Sequence, residues 1–323
     1  MNNITIGAAG LFSIDVYDEQ GRRVDHRPMQ PNLVTDAGLE AMLLALGVGQ
    51  VRVGGGSTEP AAADVTLAAP LPDMTYTQGE LVEGGTLYYK ENADYAHLWT
   101  RAAYQAKNTG TAVVNIKELG LWCKDLGKMA THALINGSPI TLQPNWWVVV
   151  TYEMRAYYPL KIPVQDVEMT IAGEKKTYHV RQRMVTRSNG KTYTSYLPQN
   201  YYDGQGRRDA EIYAYQGQDT LGNDIKVEPS GSMRVLYASP PTQATLSGSK
   251  CHIDYKIEVG TDEWNDTRGH FNIMGIYYGG LCSHLFEFKD DAGKGIPKDQ
   301  YSTLTMTFRY SVSRWTGALE ERE

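Results

Sequence analysis

The sequence predicts a mainly β protein, made of two tandem β-sandwich-like domains from an internal duplication, with one short helix in the first domain. The first observation is composition: the 323 residues include 22 Tyr and 6 Trp, types that favour half-buried pleated surfaces. The second is that several segments alternate apolar and polar residues, as strands with one buried face do. The third is that similar segments recur in the same order in the two halves of the chain.

Strand and helix signals follow one another along the chain. Residues 12–17 alternate and then meet a turn that ends in Gly21. Thr35 or Asp36 can cap a helix near 36–46, and the glycines at 47 and 49 end it. Further strands are predicted at 146–157, 178–186 and 303–312.

The internal repeat has a nearly constant spacing, because His97 and its counterpart His252 lie 155 positions apart. Three pairs of segments match in the same order: 96–101 with 251–256, 119–122 with 274–277, and 151–154 with 307–310. Duplication is the simplest interpretation, and chance similarity among strands is the alternative.

The domain boundary is expected where Pro159 and Pro163 end the long strand, because proline lacks an N–H and fixes φ. This divides the chain into domains 1–160 and 161–323. The helix has no clear counterpart in the second copy, where the segment 193–217 is interpreted as a loop or an extended arm. The Ala-, Gly- and Pro-rich stretch 54–72 is predicted to be a surface connection.

Charge and hydropathy exclude several classes of function. The chain has 31 Lys and Arg against 37 Asp and Glu, a net charge of -6, whereas a nucleic-acid binder shows a basic field. No stretch approaches the roughly 20 apolar residues that span a bilayer, and the first residues lack the pattern of a secretory signal. We therefore expect no nucleic-acid or membrane partner and synthesis in the cytoplasm. Three cysteines without a Cys-x-x-Cys pair favour buried thiols over a zinc site.

No motif for catalysis is present. The glycine run 54–56 lacks the lysine of a phosphate-binding loop and is interpreted as a turn. His97 and His252 are expected to fill one equivalent strand position rather than to form a functional pair. The acidic segment 262–266 fits a solvated loop better than a calcium site, because its spacing differs from an EF-hand loop. We expect no enzyme activity, no catalytic or metal-binding residue and no cofactor.

Adjacent aromatic residues are the remaining candidates for a site. On a strand, two neighbouring rings point to opposite faces, so one of them is expected to face outward. Outward Tyr and Trp are typical of protein–protein interfaces and also of sugar platforms, and the former is favoured here. The candidate interface residues are Trp146, Tyr158, Tyr201, Tyr202, Trp264 and Tyr278.

Four segments of the first half carry a resemblance to a known module. They are 32–39 (NLVTDAGL), 53–67 (VGGGSTEPAAADVTL), 115–121 (NIKELGL), and 131–134 with 150–155 (THAL and VTYEMR). In this order they resemble the N-terminal module of tail-fibre and collar-type proteins of tailed bacteriophages. The second half departs from the pattern, since 274–276 keeps only Gly275 of the signatures.

The resemblance implies a virion structural protein that acts as a connector, collar or tail-fibre attachment component. Its partners would be copies of itself and neighbouring virion proteins, and its location the virion. The motif positions are then structural, and Glu118 is expected to accept hydrogen bonds from backbone donors of the neighbouring loop; these positions are Gly38, Gly54, Gly56, Asp64, Glu118 and Gly120. The alternative is a receptor- or carbohydrate-binding tail component that contacts a host surface glycan through open aromatic faces.

Overall fold

The computed structural model describes residues 2–44, 46–88, 93–171, 174–185, 210–215, 220–223, 229, 233–238, 243–265, 269–278 and 283–319. Strands make up 59% of the chain and helix 3%, which confirms the predicted mainly β class.

The first half contains twelve strands and one helix among its described residues. In chain order they are β1 (Asn2–Tyr17), β2 (Arg23–Val34), α1 (Asp36–Leu43), β3 (Gln50–Gly54), β4 (Met74–Tyr76), β5 (Glu80–Tyr88), β6 (Tyr95–Asn108), β7 (Val114–Ile116), β8 (Glu118–Cys123), β9 (Lys128–Met129), β10 (Thr131–Leu134), β11 (Ile140–Leu142) and β12 (Trp147–Pro159).

The described residues of the second half contain strands alone. They are β13 (Gln165–Ile171), β14 (Glu174–Val185), β15 (Ala210–Tyr215), β16 (Met233–Ala238), β17 (Thr245–Ser247), β18 (Lys250–Val259), β19 (His270–Phe271), β20 (Ile273–Tyr278), β21 (Ser283–Lys289), β22 (Ile296–Pro297) and β23 (Leu304–Arg314).

Two large sheets organise these strands. A 13-stranded sheet runs in the order β17-β18-β23-β1-β2-β10-β8-β3, with β12, β6, β4, β5 and β9 joined beside this path. A six-stranded sheet has the order β13-β14-β21-β20-β15-β16. The larger sheet contains strands of both halves, and one hydrophobic core includes Phe12 and Val150 of the first half with Phe286 and Phe308 of the second.

The two halves share a strand order. In the first half β1-β2-β10-β8-β3 are neighbours and all antiparallel, and β13-β14-β21-β20-β15 repeat that order and direction in the second. The pair β6 and β12 is likewise matched by the antiparallel pair β18 and β23. This is the arrangement that an internal duplication predicts, and the expected boundary falls between the end of β12 and the start of β13.

Strand β1 is longer than the alternation at 12–17 predicts. Its first part contains Gly7, Ala8, Ala9 and Gly10, which have little β propensity by themselves. Residues 7–17 pair antiparallel with β12, and residues 2–8 pair parallel with β23. Strands on both sides therefore hold this segment extended, and β1 joins the two halves.

The predicted helix forms, with a cap made by Thr35. The Thr35 hydroxyl accepts a hydrogen bond from the Gly38 N–H at 3.1 Å, as a cap residue does. The helix ends at Leu43, before the predicted 46, and Leu44 is its C-cap. The turn after β1 also forms: Gly21 has φ +77, and the Asp18 carboxylate accepts hydrogen bonds from the N–H groups of Gln20 and Arg22.

Close packing at Gly120 yields a test of the fold. A Cβ at this position would lie 2.0 Å from the carbonyl oxygen of Thr131, on the neighbouring strand β10. Gly120→Ala is therefore expected to lower the free energy of unfolding by about 1–3 kcal/mol, because the backbone must shift. Urea unfolding measures this change.

Gly222→Ala is the matched control. No heavy atom lies within 4 Å of a Cβ placed there, so the expected change is about 0.5 kcal/mol or less. Equal losses in the two variants would contradict the close approach of β8 and β10.

Candidate functional site

The first half is organised around the carboxylate of Glu118, which is 0% exposed. Glu118 begins β8 and faces the 54–72 loop. Its Oε1 accepts hydrogen bonds from the N–H groups of Ala69 at 2.7 Å and Gly56 at 3.1 Å, and its Oε2 accepts one from Ala68 at 3.0 Å. The expectation that Glu118 binds backbone donors of the neighbouring loop is confirmed.

His132 extends this arrangement from the buried Glu118 to Asp64, whose side chain is 28% exposed. Its Nε2 lies 2.8 Å from Oε2 of Glu118, and its Nδ1 lies 2.6 Å from Oδ2 of Asp64. The same Asp64 oxygen accepts a hydrogen bond from the Ala61 N–H at 2.7 Å. The imidazole ring of His132 thus lies between the carboxylate groups of Glu118 and Asp64.

The carboxylate of Glu118 approaches the backbone of the 54–72 loop so closely that two positions have no room for a side chain. A Cβ at Gly54 would lie 2.3 Å from Oε1 of Glu118, and one at Gly56 would lie 2.5 Å from the same oxygen. Side chains at these positions would displace the carboxylate from its backbone donors. The predicted turn does not form: Gly54 ends β3, and residues 55–60 form neither a turn nor a bend.

Helix α1 attaches to the same region. A Cβ at Gly38 would lie 2.0 Å from the carbonyl oxygen of Ala130. The Thr35 hydroxyl donates to the carbonyl of Met129, and the Thr35 N–H donates to that of Ala130. Residues of 32–39, 53–67, 115–121 and 131–134 therefore meet in one largely buried cluster, whereas 150–155 lies on β12, outside it. We call it the Glu118 cluster: Thr35, Gly38, Gly54, Gly56, Asp64, Glu118, Gly120 and His132.

The electrostatics of the cluster favour an ionised Glu118. Burial by itself raises the pKa of this carboxyl group, but hydrogen bonds from Ala69 and Ala68, and then from His132 and Gly56, lower the pKa below its usual value of 4.5. Both ring nitrogens of His132 already face carboxylate oxygens, so the imidazole has no nitrogen left for a substrate. The cluster therefore joins β8, β10 and the 54–72 loop of this chain to one another.

The predicted interface residues are placed differently by the structure. Tyr158 is 0% exposed and Trp264 is 1% exposed, so the prediction that they face partners is wrong. Residues 152–158 of β12 are covered on both faces, which removes the outward face that the pattern implied for Tyr158. Trp264 packs edge-on against Phe271, with ring centroids 5.5 Å apart.

The other four candidates do not form a common site in the described chain. Trp146 is half-buried and packs against the core. Tyr201 and Tyr202 lie outside the described residues, as does most of the predicted arm at 193–217. Tyr278 ends β20, where only its backbone is described.

The remaining sequence candidates have structural roles where they are described. His97 is buried between the rings of Tyr88 and Tyr157, at centroid distances of 5.1 and 5.0 Å. Cys123 and Cys251 are buried free thiols, and Cys282 lies outside the described residues. Among the described residues, no three His, Cys, Asp or Glu side chains are grouped to hold a metal ion.

Sequence reasoning missed several buried charged groups, and Glu153 and Lys298 are the most deeply buried of them. Glu153 on β12 accepts hydrogen bonds from Arg155 at 2.6 Å and Arg101 at 2.7 Å, and is 1% exposed. Lys298 is also 1% exposed and donates from Nζ to Oδ1 of Asn265 at 2.9 Å. The two-residue spacing of Glu153 and Arg155 places them on one strand face, but Lys298 follows no periodic pattern.

Comparison of the chain with models of protein families, with curated proteins and with solved structures finds no significant match. Among the described residues, no helix has the length and apolar character needed to cross a bilayer.

The Glu118 cluster is tested by Glu118→Gln. The substitution keeps the side-chain shape, but the amide NH2 cannot accept the hydrogen bonds that one carboxylate oxygen now accepts. We expect urea unfolding to show a loss of about 2–4 kcal/mol, because buried donors lose a charged acceptor. Glu59→Gln in the same loop is the control, since Glu59 is exposed. A loss no larger than that of the control would contradict the role of Glu118.

The lowered pKa of Glu118 also predicts a pH dependence. A carboxyl group with a lowered folded-state pKa stabilises the fold fully above its unfolded pKa, and this contribution is lost as pH falls through the folded value. From about pH 5 to about pH 3, the free energy of unfolding should therefore fall more in the wild type than in Glu118→Gln. Carboxylates outside the Glu118 cluster act equally in both proteins and cancel in the difference. Parallel pH profiles of the two proteins would contradict the prediction.

Proposed function

We propose that this chain is a virion structural protein of a tailed phage that acts as a connector, collar or tail-fibre attachment component. The observation that carries the proposal is the convergence of the resembling segments. Side chains and glycines from 32–39, 53–67, 115–121 and 131–134 form the Glu118 cluster although they are far apart in sequence, whereas 150–155 lies on β12, outside it. A shared set of motifs that builds one structural unit supports a common fold module rather than a chance match.

The chemistry of the cluster supports assembly rather than catalysis. Its carboxylates and imidazole bind backbone donors and each other. A group that acts in catalysis must reach a substrate, and His132 is 2% exposed. The cluster instead gives the first half a rigid framework that can present strand edges to neighbouring proteins.

The surface offers strand edges for such contacts. Among the described strands, β17 and β3 end the order β17-β18-β23-β1-β2-β10-β8-β3 of the 13-stranded sheet, and β13 and β16 end the six-stranded sheet. An edge strand has unpaired backbone groups that another chain can bind. The alternative of glycan binding has no comparable support, because Trp264, a candidate for an open aromatic face, is buried.

The proposal is tested in particles of the phage that carries the gene. Mass spectrometry of purified virions with isotope-labelled peptides of this chain should detect a fixed copy number per particle, because symmetric assemblies have defined stoichiometry. Virions from a strain with the gene interrupted are the control for carry-over. Absence of the chain from washed, infectious particles would overturn the proposal.

A further inference from the structure

A groove separates two strands of the second half that lie side by side without pairing. It has a volume of about 250 Å³ and lies between residues 167–171 of β13 and residues 304–308 of β23. A cavity needs only about 10–15 Å³ to hold one water molecule. The groove is therefore too large to be a packing defect.

Both strands present open edges to this groove. Among the described residues, β13 pairs with β14 on one side only. Strand β23 pairs with β18 on one side along residues 304–313. On its other side, β1 pairs with it from Phe308 onward, which leaves 304–307 open. An unpaired strand edge has backbone N–H and C=O groups that another strand can bind, and residues of both edges line the groove.

In the first half, the two strands at the corresponding positions pair directly with each other. There β1 and β12, which correspond to β13 and β23 in the shared strand order, pair directly over eleven residue pairs. In the second half the corresponding strands are held apart. The edge of β23 has already accepted one strand, since β1 pairs with its residues 308–314, and the groove continues that same edge.

The side chains lining the groove alternate in the way that a strand-binding site requires. Val167, Met169 and Ile171 are half-buried and pack against the core, while Glu168 and Thr170 between them are exposed. Across the groove, Leu304 and Met306 are apolar, and Thr305 and Thr307 alternate with them. The one charged side chain of the lining, Glu168, is paired with Lys175 at 2.7 Å.

We infer that this groove binds an extended strand of another polypeptide, inserted between β13 and β23. Only a peptide backbone supplies donors and acceptors to both edges at strand spacing. The inserted segment must carry uncharged apolar side chains at alternate positions, because these face the apolar floor formed by Met169 and Leu304. This inference rests on the proposed function for the source of the strand, a neighbouring virion protein.

The experiment uses the full chain and a fluorescent peptide of alternating threonine and valine. We expect saturable binding by fluorescence anisotropy. A second peptide with the same sequence but N-methylated at alternate residues should bind at least about tenfold more weakly, because it lacks the backbone donors along one of the two edges that the groove must pair. Equal binding of the two peptides, or no binding of the first, overturns the inference and needs no variant of the protein.

Two variants test whether the peptide binds in the groove. Met169→Glu should weaken binding by about tenfold or more, because it puts a charge on the apolar floor. Val164→Glu is the matched control, since Val164 is 57% exposed and lies outside the lining, and its binding should equal that of the wild type. If Met169→Glu fails to fold, Leu304→Glu replaces it. Unchanged binding in a folded groove variant overturns the inference.

The two proposals fail separately. If the chain is present in virions but does not bind the alternating peptide, the proposed function is supported and the inference about the groove is contradicted. If the chain binds the peptide through Met169 but is absent from virions, the inference about the groove is supported and the proposed function is contradicted.

Discussion

The fold of the first half depends on one buried carboxylate. Glu118 is removed from water, and that cost is offset only because Gly56, Ala68, Ala69 and His132 all direct hydrogen bonds to it. These partners are distant in sequence, so the carboxylate connects the 54–72 loop to β8 and, through His132, to β10. The glycines at 54 and 56 follow from the same constraint, since a Cβ would occupy the space of the carboxylate.

A second constraint, strand β1, joins this framework to the rest of the molecule. Its early residues pair with β23 and its later residues pair with β12. Arg314 at the end of β23 donates from Nε to the carbonyl of Val34 at 2.6 Å and forms an ion pair with Asp36 at the start of α1. The two halves thus share a sheet and a core. Within the described residues, 304–307 of β23 pair with β18 alone, and β13 pairs with β14 alone.

Much of the fold could be predicted because strand periodicity and helix caps are local signals. Alternation marked β12 and β23, and Thr35 marked the start of α1. The same reasoning failed for Tyr158, because it assumes one exposed strand face, and residues 152–158 are covered on both. It failed for Trp264, a loop residue with φ +55 whose burial follows no period. Glu118 was found through the resemblance, whereas its partner His132 depends on contacts between β8, β10 and the loop.

The central claim is that Glu118 holds the 54–72 loop through its backbone. The most direct measurement is amide hydrogen exchange by NMR at Gly56, Ala68 and Ala69, in the wild type and in Glu118→Gln. The account predicts slow exchange of all three amides in the wild type and much faster exchange in the variant, with the amides of β12 unchanged. Fast exchange in the wild type, or equal rates in the two proteins, would contradict it.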